Sequence, residues 1–109
     1  MKATLCLTAA LLFNLAAHAD TIEMKVHGMV CGFCAQGIEK ALRKNPATAD
    51  VVVNLENKLV VVSTHGDQDI SDTDLRKMIT NAGYDVKSIS RTQRTMAEIR
   101  GEIVQAANQ

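Results

Sequence analysis

The 109-residue chain contains no tryptophan, one tyrosine and two phenylalanines, and its 12 basic residues are cancelled by 12 acidic ones. Nucleic-acid binding draws on a positive field along the phosphates and on flat side chains that stack against bases. This chain has neither in excess, so that class of function is excluded. Three cysteines are too few for a framework of several disulfides. The core must therefore be held by burial. A long apolar run is missing as well. Residues 5–17 are apolar apart from Cys6, Thr8 and Asn14, which is short of the roughly 20 residues that a spanning helix needs.

The order of features at the N-terminus has another reading. Lys2 precedes the apolar run and Ala17-His18-Ala19 follows it with small residues at both recognition positions. That is the layout of a secretory signal peptide. It predicts cleavage after Ala19, export to the periplasm and no stable membrane insertion afterwards. Cys6 stands before the hydrophobic stretch, where a lipid-modified cysteine would follow it. Residues 20–109 then carry 11 basic against 12 acidic residues and two thiols, Cys31 and Cys34. Ninety residues make one small domain without room for a second core.

Thr21–His27 alternates, with Ile22, Met24 and Val26 apolar and Glu23, Lys25 and His27 polar, the period of a half-buried strand. Gly28 interrupts it. From Cys34 the period is helical: Cys34, Ile38, Ala41 and Leu42 form one stripe, and Asn45-Pro46 ends it. Residues 49–55 and 59–64 are valine-rich runs around Glu56-Asn57-Lys58, a hairpin signal. Their valines are too continuous for strict alternation, as in strands from the middle of a sheet. Ser71 and Asp74 make a capping pair, with Ile70 and Leu75 at the flanking apolar positions. Leu75, Met78, Ile79 and Ala82 form the second helical stripe, and Gly83 stops it. Residues 85–90 make a short last strand with Val86 and Ile89 as its apolar members. The order is βαββαβ, a ferredoxin-like α+β fold: a four-stranded antiparallel sheet with two helices on one face, an open-faced sandwich. Beyond Arg91, Thr95 and Glu98 form another capping box, and Met96, Ile99 and Ile103 share a stripe. An amphipathic helix over 95–107 and a frayed tail are both compatible with it, since Gly101 weakens the pattern.

Cys31 and Cys34, three positions apart where strand gives way to helix, suit either a soft metal ion or a disulfide. The free N–H groups of the helix start favour a thiolate at Cys34. Two thiolates without a neighbouring carboxylate or imidazole suit Cu(I) or Hg(II), whereas structural zinc takes four ligands. Val30 offers no third, hard ligand. His27, on an alternating strand, is read as solvent-facing rather than as a ligand, and His65 has less claim. The same Cys-x-x-Cys spacing also serves thiol–disulfide oxidoreductases. Against that alternative, no tryptophan precedes the pair, the sole proline (Pro46) follows the first helix, and the element order is wrong for a thioredoxin-like unit. A domain whose thiols rest oxidised, acting through protein contacts, is a third reading.

The segment Gly28-Met29-Val30-Cys31-Gly32-Phe33-Cys34 resembles the Gly-Met-x-Cys-x-x-Cys loop of the heavy-metal-associated domain family. That family includes small copper chaperones and periplasmic mercury-binding proteins. Ile38-Glu39-Lys40-Ala41-Leu42, Val53-Asn54-Leu55 and Ala82-Gly83-Tyr84 are similar to its first helix, second strand and second-helix end. The signal peptide expected over 1–19 and a C-terminal extension over 92–109 fall outside the resemblance, which covers the metal-binding domain over 20–91. The resemblance implies no enzyme but a metallochaperone, holding one soft cation per chain, Cu(I) or Hg(II), between Cys31 and Cys34. The cation would pass by thiol exchange to a metal-transporting membrane protein or another metal-binding domain. It further implies that Met29 is a buried anchor rather than a thioether ligand. Tyr84 would lie beside the metal loop, as a shield, a hydrogen-bond support for Cys31 or a packing residue. Phe33 would stand at the loop edge, where a partner could dock. Val30 departs from the family, where threonine, or aspartate in zinc-handling members, is usual.

Overall fold

The computed structural model describes residues 21–107; the signal peptide expected over 1–19 lies outside the described residues. The elements are β1 (Thr21–His27), α1 (Gly32–Arg43), β2 (Thr48–Asn54), β3 (Leu59–Thr64), α2 (Asp72–Asn81), β4 (Asp85–Thr92) and α3 (Met96–Ala107). The four strands form one sheet in the order β2-β3-β1-β4, and every neighbouring pair is antiparallel. Ile22, Met24 and Val26 of β1 and Val60 and Val62 of β3 meet Ile38 and Leu42 of α1 and Leu75 and Ile79 of α2 in one buried core. The expected ferredoxin-like βαββαβ unit is present, with α1 and α2 on one face.

Local signals set the helix ends. At α2, the Asp74 amide donates to Ser71 Oγ at 3.2 Å, while Ile70 and Leu75 are buried. The reciprocal carboxylate bond of a full capping box is absent there, since aspartate is one methylene shorter than glutamate. At α3 both halves form: Glu98 N donates to Thr95 Oγ1 at 3.2 Å, and Thr95 N donates to Glu98 Oε2 at 2.9 Å. The segment after Arg91 is therefore a helix and not a frayed tail.

One feature extends the expected fold and one expectation needs correction. The extra C-terminal helix α3 is present, and it lies on the otherwise open side of the sheet, opposite α1 and α2. Val61 points away from the core residues Val60 and Val62, yet it is fully buried, and Ile99 of α3 is 2% exposed. Glu23, Leu59, Ile99 and Ile103 enclose a small cleft on that face. Arg94 reaches both Glu23 and Glu102, and Arg100 donates to Asp50 of β2 at 2.6 Å. The physical reason is that valines on both faces of β3 leave apolar surface outside the main core, and an amphipathic helix covers it. The correction concerns β2, which is an edge strand and not a central one. Its continuous valines reflect cover from α1 on one side and α3 on the other.

Candidate metal site

The thiol loop is built from the core outward. Gly28 leaves β1 with φ +85°, and an added Cβ there would meet the Tyr84 ring at 3.6 Å. That backbone region is costly for a residue with a side chain. The turn drives Met29 into the core, where it is 0% exposed, and lifts Val30 and Phe33 out to 75% and 84% exposure. Met29 is thus packed as the expected anchor. Cys31 is extended (φ −142°, ψ 156°) and is the N-cap of α1, which starts two residues earlier than the periodicity predicts. Its sulfur explains the earlier start, because Cys31 Sγ accepts a hydrogen bond from the Cys34 amide at 3.2 Å, the role usually taken by a serine or aspartate oxygen.

Cys31 and Cys34 are paired as a disulfide, with Cα atoms 5.2 Å apart. Cys31 is exposed, and Cys34 is half-buried against the core. The first turn of α1 has no acidic side chain, and its basic residues Lys40 and Arg43 are in the last turn. The positive end of the helix is therefore unopposed by any carboxylate of its own and favours thiolates once the pair is reduced. Among the described residues, no group of three or more His, Cys, Asp or Glu side chains could share a metal ion. His27 is exposed and lines a cleft with Lys25 and Lys87 rather than joining the sulfurs.

Two further residues frame the loop. The end of α2 is a Schellman motif: Tyr84 N donates to Ile79 O at 3.1 Å and Gly83 N to Thr80 O at 3.0 Å, with Gly83 at φ +98°. The motif swings Tyr84 back, half-buried, against Gly28 and the core. Tyr84 acts here as a packing residue under the loop. Lys58, which sequence reasoning missed as a site residue, donates from Nζ to Met29 O at 2.8 Å, and its own carbonyl accepts from Val26 N at 2.9 Å. It adopts φ 55°, an uncommon conformation for a side-chain-bearing residue. A three-residue polar turn signals a hairpin but does not say which loop the turn will touch.

The heavy-metal-associated domain profile matches residues 23–85, more than half of the chain, and includes the whole cysteine loop. The chain belongs to the heavy-metal-associated domain family. It is 38% identical over 68 residues to a copper-exporting P-type ATPase of Staphylococcus haemolyticus, covering 62% of this chain and 8% of the ATPase. The chain thus spans less than a tenth of that transporter. It is 35% identical to the copper chaperone CopZ of Staphylococcus aureus, covering 58% of this chain and 91% of the chaperone. The crystal structure of oxidized MerP from Ralstonia metallidurans CH34 superposes with a TM-score of 0.54 at 33% identity. That match covers 62% of this chain and 96% of MerP. The family match stops at residue 85, so α3 lies outside it.

Proposed function

We propose that this heavy-metal-associated domain is an exported metallochaperone. It holds one Cu(I) or Hg(II) per chain between the thiolates of Cys31 and Cys34 and passes it on by thiol exchange. The receiver is a metal-transporting membrane protein or another metal-binding domain, and the residues before Asp20 are removed on export to the periplasm. The observation that carries the reading is a two-sulfur site at a helix start, exposed at Cys31, that no further His, Cys, Asp or Glu joins into a group of three among the described residues. Cu(I) and Hg(II) accept two soft ligands, and zinc asks for four. Similarity to copper chaperones and to the metal-binding portion of copper ATPases supports the choice of cargo class. The disulfide between Cys31 and Cys34 must be opened by reduction before loading. An oxidoreductase finds less support, because Pro46 follows the far end of α1 and no tryptophan precedes the pair.

The test is titration of the reduced protein with Hg(II) or Cu(I) in competition with a chelator of known affinity. One equivalent should bind, and Cys31→Ser/Cys34→Ser should abolish binding with little loss of fold. Stoichiometric binding by the double variant would refute the assignment.

A further inference from the structure

A cleft of about 520 Å³ opens on the outer face of the sheet at the thiol end, between β1, the β2–β3 turn and β4. Lys25, His27, Lys58 and Lys87 line it, and no carboxylate does. The sheet geometry puts them together. Val26 pairs with Val86 but Lys25 pairs with Ser88, so Lys87 is the extra residue of a β-bulge. The bulge explains why the apolar positions of β4, Val86 and Ile89, are three apart. It also leaves Lys87 and Ser88 both exposed beside Lys25. Bulges re-aim side chains in this way.

Two of the ammonium groups are fixed by backbone carbonyls. Lys25 Nζ donates to Asn57 O at 3.2 Å and Lys58 Nζ to Met29 O at 2.8 Å. Each keeps two N–H donors free for a ligand. Every ion pair among the described residues is made by an arginine, so none of the three lysines of the cleft has an ion-pair partner; Asp85, opposite His27 on β4, and Glu56 in the β2–β3 turn are near in the chain but do not line the cleft. Lys58 ties the cleft directly to the carbonyl of Met29, two residues before Cys31.

We propose that this cleft binds the carboxylates of a small anionic thiol, the low-molecular-weight carrier from which the domain takes its metal. The inference rests on the metallochaperone reading above and names the donor. A soft cation travels on soft ligands, and small thiols of the glutathione class carry carboxylates that match three ammonium groups. With the carboxylates held in the cleft, the thiolate-bound metal lies beside the Cys31 loop. In the exchange, two metal–sulfur bonds to the carrier thiols break and two form to Cys31 and Cys34. Each cysteine proton leaves on a departing thiolate, and the oxidation state of the metal is unchanged.

The first test uses S-methylglutathione, which has the carboxylates but no thiol to bind metal or attack a disulfide. Added to the metal-free protein and followed by NMR, it should give saturable shifts at Lys25, His27, Lys58 and Lys87, weakening as salt rises. Absence of saturation, or equal shifts at all lysines, would overturn the site independently of metal binding. The second test measures the rate of Hg(II) transfer to the reduced protein from its bis-glutathione complex and from its bis-mercaptoethanol complex. Lys25→Gln/Lys87→Gln should slow the first about tenfold and leave the second unchanged, and Lys25→Arg/Lys87→Arg should restore the rate. Equal slowing from both donors, or slowing confined to a protein donor as expected of an acidic docking partner, would refute the proposal. Failure of Hg(II) to bind Cys31 and Cys34 at all would instead refute the metallochaperone reading.

Discussion

Replacing Met29 separates the two roles that a methionine in this loop could have. Its side chain is fully buried within the core cluster beside Val26 and Ile38, so Met29→Ala removes packing that nothing nearby can replace. Such truncations cost about 2–5 kcal/mol. A domain of this size has roughly 5–13 kcal/mol in total, and each kcal/mol moves its melting point by about 4–8 °C. The expected loss is therefore roughly 8–40 °C, read by circular dichroism on the reduced protein. Met29→Leu conserves volume and should cost less than about 1.5 kcal/mol. Because leucine has no sulfur, it also tests the thioether. If Met29 only anchors the loop, Met29→Leu keeps wild-type Cu(I) affinity in a chelator competition. A melting point unchanged in Met29→Ala would refute the anchor, and a loss of Cu(I) affinity in Met29→Leu at full stability would make the sulfur a ligand.

Ile99→Ala should undock α3 before the rest of the domain unfolds, at a cost of about 2 kcal/mol, seen as faster hydrogen exchange along α3 and around Val61; unchanged exchange would mean that α3 is not held by this contact. The Asp50 carboxyl is held below its ordinary value of 3.8 by the hydrogen bond from Arg100, then by Val51 N and Arg43, against the opposing effect of burial. Its contribution is complete above that ordinary value and is lost as pH falls through the lower folded value, so Asp50→Asn should flatten the acid limb of the stability curve. Gly83→Val forces a β-branched residue into φ +98° and should cost at least about 1–2 kcal/mol, measured by urea unfolding; a neutral result would mean that the α2 terminus relaxes without strain.

Much of this structure is legible in the sequence because its signals are local. Alternation in β1, the Ser71 cap, the Gly83 stop and the Thr95–Glu98 box each depend on residues within one turn or one strand. The strand order and the β4 bulge are not legible in the same way, because pairing partners lie tens of residues apart. The outer-face burial of Val61 was visible only as a run of valines that failed to alternate, and that run fitted a central strand as well as a covered edge. At the site, the cysteines and Met29 stand in a recognisable order. The early start of α1 depends on a sulfur acting as a cap, which residue propensities do not anticipate. Lys58 is the clearest omission, because its role comes from a hairpin turn meeting a loop 29 residues earlier in the chain.

The placement of α3 bears on how metal could leave this domain. Three large hydrophobic residues are strongly exposed among those described, and two of them, Val30 and Phe33, flank Cys31. With α3 over one sheet face and α1 and α2 over the other, the thiol end is where apolar surface and sulfur coincide. The third, Val104, lies on α3, away from the cysteine loop in sequence and on the opposite side of the sheet from α1. A partner that binds by burying apolar area is therefore drawn to the end of the molecule where the proposed ligand exchange would take place. Core burial and the proposed exchange site are also separate in space, since Met29 is buried under the loop while Cys31 is exposed. The disulfide closes only a three-residue separation, so it restricts the unfolded chain little. The reduction, loading and release proposed above would then involve only the surface, while the buried residues beneath stay packed.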